Sequence, residues 1–283
     1  MSGKTIWRRA LDLDHRWIAT GIFIIITYMI ISPIAIPFPI SSYGQAYYDF
    51  VVDVPAGETV GFMMADTVST KPSLKPSTTL AMWMMWEKDC KIVFWYDTAD
   101  AVILLREYVA DVEVLLGRDL EYGVDWADMG YIAGAETGQV AFLESIRRVT
   151  GGIDTYGNPI DSLPIMEGID NGGDFKYGFA NCACACTEPM YIRQWGMPYG
   201  TKLATINCAM DLPAITLYLA TGQLDATANG LLASAEMEFL TGKLGLAFGQ
   251  TLAVSFAGLY FTILVILGNV FFFIDRAQGG GAQ

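Results

Sequence analysis

The chain has 283 residues, 53% of them hydrophobic, and a formal net charge of −13. Its few, scattered bases exclude nucleic acid as a partner, because phosphate binding needs clustered Lys and Arg. A single histidine, His15, excludes Ser-His-Asp or Cys-His catalysis and His-ligated zinc anywhere downstream of it.

Lys4, Arg8, Arg9 and Arg16 precede an apolar run from Trp17 to Ile40. Residues 1–16 are therefore expected to be a cytoplasmic tail and residues 17–40 a first transmembrane helix, since basic flanks stay inside. Pro33, Pro37 and Pro39 either end regular helix near Ser32 or kink it.

Residues 41–243 carry 27 acids against 12 bases, a net −15, and are expected to form one acidic extracytoplasmic domain. Tyr47, Phe50, Val51 and Val54 make one stripe of a short helix. Val60 to Ala65 reads as a buried strand, 71–76 as a Lys- and Pro-rich loop, and Ser77 to Cys90 as a helix. Lys91 to Tyr96 is a second strand, Ala99 to Leu116 an amphipathic helix, and Asp128 to Ile132 a third strand. A helix from Ala135 to Val149 leads into a Gly-, Asp- and Asn-rich loop over 150–173, long enough to be of interest. Strands over Phe175 to Ala180 and Leu203 to Asn207 flank a helix from Glu188 to Trp195, and Leu212 to Ala220 is a further helix. Thr187 and Asp211 stand at helix N-caps and Gly222 at a C′ position. Alternating helices and continuous apolar strands predict an α/β fold: a mostly parallel sheet covered by helices, flanked by N- and C-terminal transmembrane helices.

The second span, residues 244–274, has no charge, and Arg276 lies in a cytoplasmic tail, 275–283. Gly245, Gly249, Ala253 and Ala257 recur every four residues along it, a ridge that admits another helix closely. The lipid bilayer is the expected partner. The ridge suits either span one or a second copy of the chain, giving a homo-oligomer.

Ligands in open α/β sheets bind beyond the carboxyl ends of the strands. The residues placed there are Asp66 and Thr67, Asp97 and Thr98, Glu136 and Thr137, Asn181 and Cys182, then Asn207 and Cys208. They form a polar edge with oxygen ligands suited to a small ligand or a hard cation, though no metal motif accompanies them. No GxxxxGK[ST], GxGxxG or GxSxG segment supplies a phosphate cradle or a nucleophile. The run from Asn181 to Cys186 places Cys182, Cys184 and Cys186 on one face of an extended chain, near Cys208. Outside the cytoplasm one of the three is expected to pair with Cys208, while Cys90, at the opposite edge, stays apart; a thiolate metal site is the alternative. The function expected is a membrane-anchored, non-catalytic scaffold, assembly or ligand-binding module. A hydrolase or transferase working through the edge carboxylates is the alternative, and it requires Asp66, Asp97 and Glu136 to converge.

Overall fold

The computed structural model describes residues 14–32, 36, 39–183 and 187–277. The chain divides into two compact units: residues 38–247, and residues 1–37 with 248–283.

The larger unit is built on six parallel strands. These are β1 (Thr59–Ala65), β2 (Lys91–Tyr96), β3 (Trp126–Tyr131), β4 (Tyr177–Cys182), β5 (Lys202–Asn207) and β6 (Ala226–Asn229). They lie in the order β3-β2-β1-β4-β5-β6. Helices α2 (Ser42–Asp53), α3 (Lys71–Trp86), α4 (Ala101–Leu116) and α9 (Gly230–Thr241) cover one face, burying Tyr47, Leu80, Leu105 and Met237 against Phe62, Phe94 and Phe179. The other face carries α5 (Ala135–Glu144), α6 (Ile146–Thr150), α7 (Thr187–Tyr191) and α8 (Leu212–Ala220). They bury Phe142, Ile146, Tyr191 and Ile215 against Met63, Trp95 and Ala180. The first three strands wind outward in one direction and the last three in the other, a doubly wound sheet whose order reverses between β1 and β4.

Local chemistry explains most of these elements. Ser41 caps α2, its hydroxyl accepting from the Gly44 N–H at 3.0 Å. The expected loop at 71–76 is instead the first turn and a half of α3. Pro72 sits where no intrahelical donor is needed. Pro76 lies inside the helix, and beside it Ser77 meets the Ser234 hydroxyl of α9, N to Oγ at 3.3 Å and Oγ to Oγ at 2.8 Å. The expected loop at 150–173 is tied down from within. The Asp154 carboxylate accepts from Tyr122 Oη at 2.7 Å, from the Tyr156 and Asn158 N–H groups and from Asn158 Nδ2. Arg147 donates from Nε to Asp161 at 2.7 Å and from Nη1 to Asp170. The strand β6 and helix α9 have no counterpart in the sequence reading.

After Tyr191 the α7 helix widens into a π turn (Ile192–Gly196). That turn sets Trp195 over two glycines paired in register, Gly61 of β1 and Gly178 of β4. A Cβ at Gly178 would stand 2.4 Å from the indole and one at Gly61 would stand 2.8 Å from it. Trp195 Nε1 donates to the Gly172 carbonyl at 3.0 Å, so the buried indole is fully paired.

The smaller unit contains α1 (His15–Ile31) and most of α10 (Leu246–Ala277). With 32 residues, α10 is long and apolar enough to cross a bilayer, and it is the only such helix among the described residues. The expected first membrane helix over 17–40 is corrected: α1 has 17 residues, rising about 25 Å, and ends at Ile31 with Ser32 at its C-cap. Pro33 and Pro37 lie outside the described residues. The two helices pack antiparallel, with the Tyr260 hydroxyl donating to the Ile18 carbonyl at 3.4 Å and Gly249 facing Met29 and Ile30. A Cβ at Gly249 would lie 3.1 Å from the Met29 carbonyl oxygen, so the small-residue ridge at this point receives α1 of the same chain. Gly249→Leu is expected to push α1 off α10. Protease sensitivity of α1 in mild detergent should rise; unchanged sensitivity and unchanged thermal stability would place the glycine elsewhere.

Candidate functional site

The carboxyl edge of the sheet at the β1–β4 reversal is built around Asp66. This residue is fully buried. Its Oδ1 accepts from the Thr67 N–H at 2.8 Å and from Thr70 Oγ1 at 2.6 Å, and its Oδ2 accepts from the Tyr108 hydroxyl of α4. Thr98, beyond β2, donates to the Asp66 carbonyl at 2.9 Å and binds the two strand ends together. Burial lifts the Asp66 carboxyl above its usual range, and hydrogen bonds from Thr70, Tyr108, Thr67 and Asn181 draw it back. Asn181, one strand over on β4, donates from Nδ2 to Thr78 Oγ1 at 2.7 Å, while its Oδ1 is buried with no protein partner.

Asp97 follows β2 but lies on the opposite face from Asp66, because successive residues of a strand alternate. Burial pushes its carboxyl up to about 6, and its Oδ1 also lacks a hydrogen-bond partner. Its negative charge adds to burial in raising the hydroxyl of Tyr191, itself buried and unpartnered. A carboxyl raised in the fold retains a proton that the unfolded chain has lost. Stability contributed through Asp97 therefore falls as pH rises from about 4 to about 6. Asp97→Asn should raise Tm at about pH 7 relative to Tm at about pH 4.5. A difference of unchanged size would show that this carboxyl titrates alike in both states.

The remaining edge residues divide. Asn207 is absorbed into a ladder between β5 and β6: its Nδ2 donates to Asn229 Oδ1 at 2.8 Å, its Oδ1 accepts from Thr227 at 2.7 Å, and Thr205 donates to Thr227 at 3.0 Å. Beyond this ladder, Asn229 Nδ2 and Asp211 Oδ2 are buried without partners. Sequence reasoning placed Asp211 only as a helix cap and did not find Asn229, since β6 carries no large apolar residue to mark it as a strand. Glu136 and Thr137 are exposed on α5. Glu136 takes a hydrogen bond from Gln194 at 2.7 Å and an ion pair with Arg193 at 3.6 Å. The three carboxylates thus do not converge.

The expected disulfide does not form among the described residues: no bridge joins Cys90, Cys182 and Cys208. Cys184 and Cys186 lie outside the described residues. Cys182 is part of β4 and faces the second core, in register with Ala65 and Asn207. The Cys208 thiol lies 3.8 Å from the Ala183 carbonyl. Cys90, at the amino end of β2, donates to the Pro55 carbonyl, and burial raises its thiol. Among the described residues no group of three His, Cys, Asp or Glu side chains is placed to hold a metal ion.

In sheets of this strand order the first βα turn cradles phosphates with glycine backbone and a helix N-terminus. Here that turn reads Asp66-Thr-Val-Ser-Thr70, with no glycine and with a carboxylate at its root. Its charge is wrong for a nucleotide. No protein-family model, curated protein or solved structure matches this chain. Fold and edge together define a doubly wound α/β domain with a polar, acceptor-rich rim, continuous with one membrane-length helix.

Proposed function

We propose that this protein is a membrane-tethered binding domain that takes a small, hydrogen-bond-donating ligand at the carboxyl edge of its sheet. The α/β unit stands outside the cytoplasm, α10 crosses the bilayer, and α1 runs back beside it. The support for this placement is the antiparallel packing of α1 on α10, which puts Asp14 and Ala277 at the same end, together with the basic residues ahead of α1 and Arg276 near the end of α10. A maleimide reagent that cannot cross membranes should label Val114→Cys, whose parent side chain is 83% exposed, in intact cells. Labelling only after lysis would reverse the orientation.

The observation that carries the ligand reading is unspent polar valence at this edge. Asn181 Oδ1, Asp97 Oδ1, Asp211 Oδ2 and Asn229 Nδ2 are buried without protein partners, at or just beyond strand ends on both sides of the reversal, Asn181 on one face of the sheet and Asp97 and Asn229 on the other. Each buried polar group left open costs about 1–3 kcal/mol; other such atoms, the Trp95 and Trp126 Nε1 and both Gln139 amide atoms among them, lie elsewhere in the fold. Three of the four edge atoms are acceptors in a unit of net charge −15, which suits hydroxyl- or amine-bearing ligands. The carboxylate-enzyme alternative loses its pair, because Asp66 spends its oxygens internally and Glu136 is ion-paired at the surface.

A thermal-shift panel of polyols, sugars and polyamines on the detergent-extracted full chain tests this. At about a hundred times Kd a ligand should add about 2.7 kcal/mol of stability, with the gain lost in Asn181→Leu or in Asp97→Asn, according to the face of the sheet that it occupies. A panel without effect, or a gain that survives both substitutions, would leave a scaffold rather than a receptor.

A further inference from the structure

The larger unit has a groove of about 730 Å³ between α3, α4 and the segment that leads into α10, with Val68 of the turn after Asp66 at one end of it. Its walls are mainly apolar, with Pro72, Leu80, Leu115, Leu244 and Leu246 among them. Three lysines, Lys71, Lys75 and Lys243, stand around it. They are a quarter of the 12 bases in a segment that carries 27 acids; Glu107 and Glu238 line the groove with them, which leaves it far less acidic than the unit as a whole. Lys71 and Lys75 share Glu107, at 2.6 and 2.7 Å, and Lys75 also meets Asp111. Lys243 has no ion pair with any described residue; its ammonium lies 4.9 Å from the centre of the Trp83 ring. The neighbouring Glu238 carboxylate is turned to the backbone, accepting from the Gly245 and Ala247 N–H groups at 2.9 and 3.1 Å.

Connectivity fixes where this groove lies. Residues 243–246 are at once its lining and the first residues leading into α10. If α10 enters the bilayer at its first turn, the groove's rim is within about one helical turn, 5.4 Å, of that entry. An apolar cleft of this size ordinarily receives an apolar ligand held by a few polar groups. We infer that the groove holds one anionic membrane lipid, its acyl chain along Leu80, Leu115 and Leu246 and its headgroup at Lys243 with Lys71 and Lys75 nearby. Anionic headgroups are drawn to juxtamembrane lysines, while the rest of this acidic surface repels them. The lipid would seat the root of the helix on the domain. This inference rests on the membrane reading of α10 and not on the ligand reading of the sheet edge.

The test uses the full chain reconstituted in nanodiscs of phosphatidylcholine with a minor share of phosphatidylglycerol. It is then transferred to mild detergent and analysed by native mass spectrometry. One phosphatidylglycerol per chain should be retained. Retention should fall about tenfold in Lys243→Glu and likewise in Leu115→Glu, both at exposed positions that leave the core intact. Lys243→Arg should keep it. Equal retention of both lipids, no retention, or indifference to the substitutions would overturn the groove assignment. Alkaline carbonate extraction of native membranes separates this from the anchor reading: a chain that resists extraction yet holds no lipid refutes the groove alone, and a chain that is released refutes the anchor and the groove with it.

Discussion

Trp195→Ala is expected to cost the α/β unit about 3–5 kcal/mol, the range for deleting a fully buried tryptophan. The indole touches Trp95 with ring centroids 5.1 Å apart, packs edge-on to Phe175 and Tyr191, and covers the paired glycines of β1 and β4. Removing it leaves a cavity over the two central strands, where backbone collapse is hardest. The reciprocal substitution, Gly178→Ala, should cost about 1–3 kcal/mol by overpacking, because the new methyl carbon would meet the indole at 2.4 Å. Combining the two should restore part of the loss, since the methyl group then fills space the indole vacated. Urea unfolding of the full chain in mild detergent measures all three. Additive losses, or a Trp195→Ala cost under about 1 kcal/mol, would show that the glycines are not there to admit the indole.

That packing was illegible from the sequence, and the reason is physical. The contact joins residues 17 and 134 positions apart along the chain, and neither glycine announces what lies above it. Strands β1 and β2 were legible because Val60–Ala65 and Lys91–Tyr96 are apolar runs of strand length bounded by turn signals. β4 was placed two residues early, since Phe175 looks like a strand start but is packed beneath the Trp195 turn. That shift mattered for the site: Asn181 and Cys182 end the strand rather than follow it, so their side chains face opposite cores. β6 was missed because Ala226–Asn229 pairs through small and polar side chains. In α9, Glu236 and Glu238 are buried, and each accepts from the backbone at the start of another helix, Glu236 from Ser41 and Glu238 from Gly245. Asp66 and Asp97 each follow the carboxyl end of their strand, and alternation along adjacent strands sends them to opposite faces.

Asp66→Ala is expected to cost about 3–5 kcal/mol, because three donors lose their acceptor together at about 1–3 kcal/mol each when buried. Those donors are the Thr67 N–H, the Thr70 hydroxyl and the Tyr108 hydroxyl. Asp66→Asn keeps one acceptor and can turn its amide toward Tyr108, so its cost should be nearer 1–2 kcal/mol by the same arithmetic, about that of one hydrogen bond to a charged group. Tyr108→Phe removes a single bond and should cost about 1–2 kcal/mol. In Asp66→Ala the further loss from Tyr108→Phe should nearly vanish, a coupling of the size that contacting residues show in double-mutant cycles. The Asn181 amide is near enough to lower the same carboxyl's pKa, so Asp66→Ala should also weaken any ligand held through Asn181 Oδ1, while Tyr108→Phe leaves that ligand largely bound. If the two substitutions add without coupling, Asp66 does not pin the corner where the sheet reverses. If Asp66→Ala unfolds nothing yet still abolishes binding, the carboxylate itself belongs to the ligand and not to the scaffold beneath it.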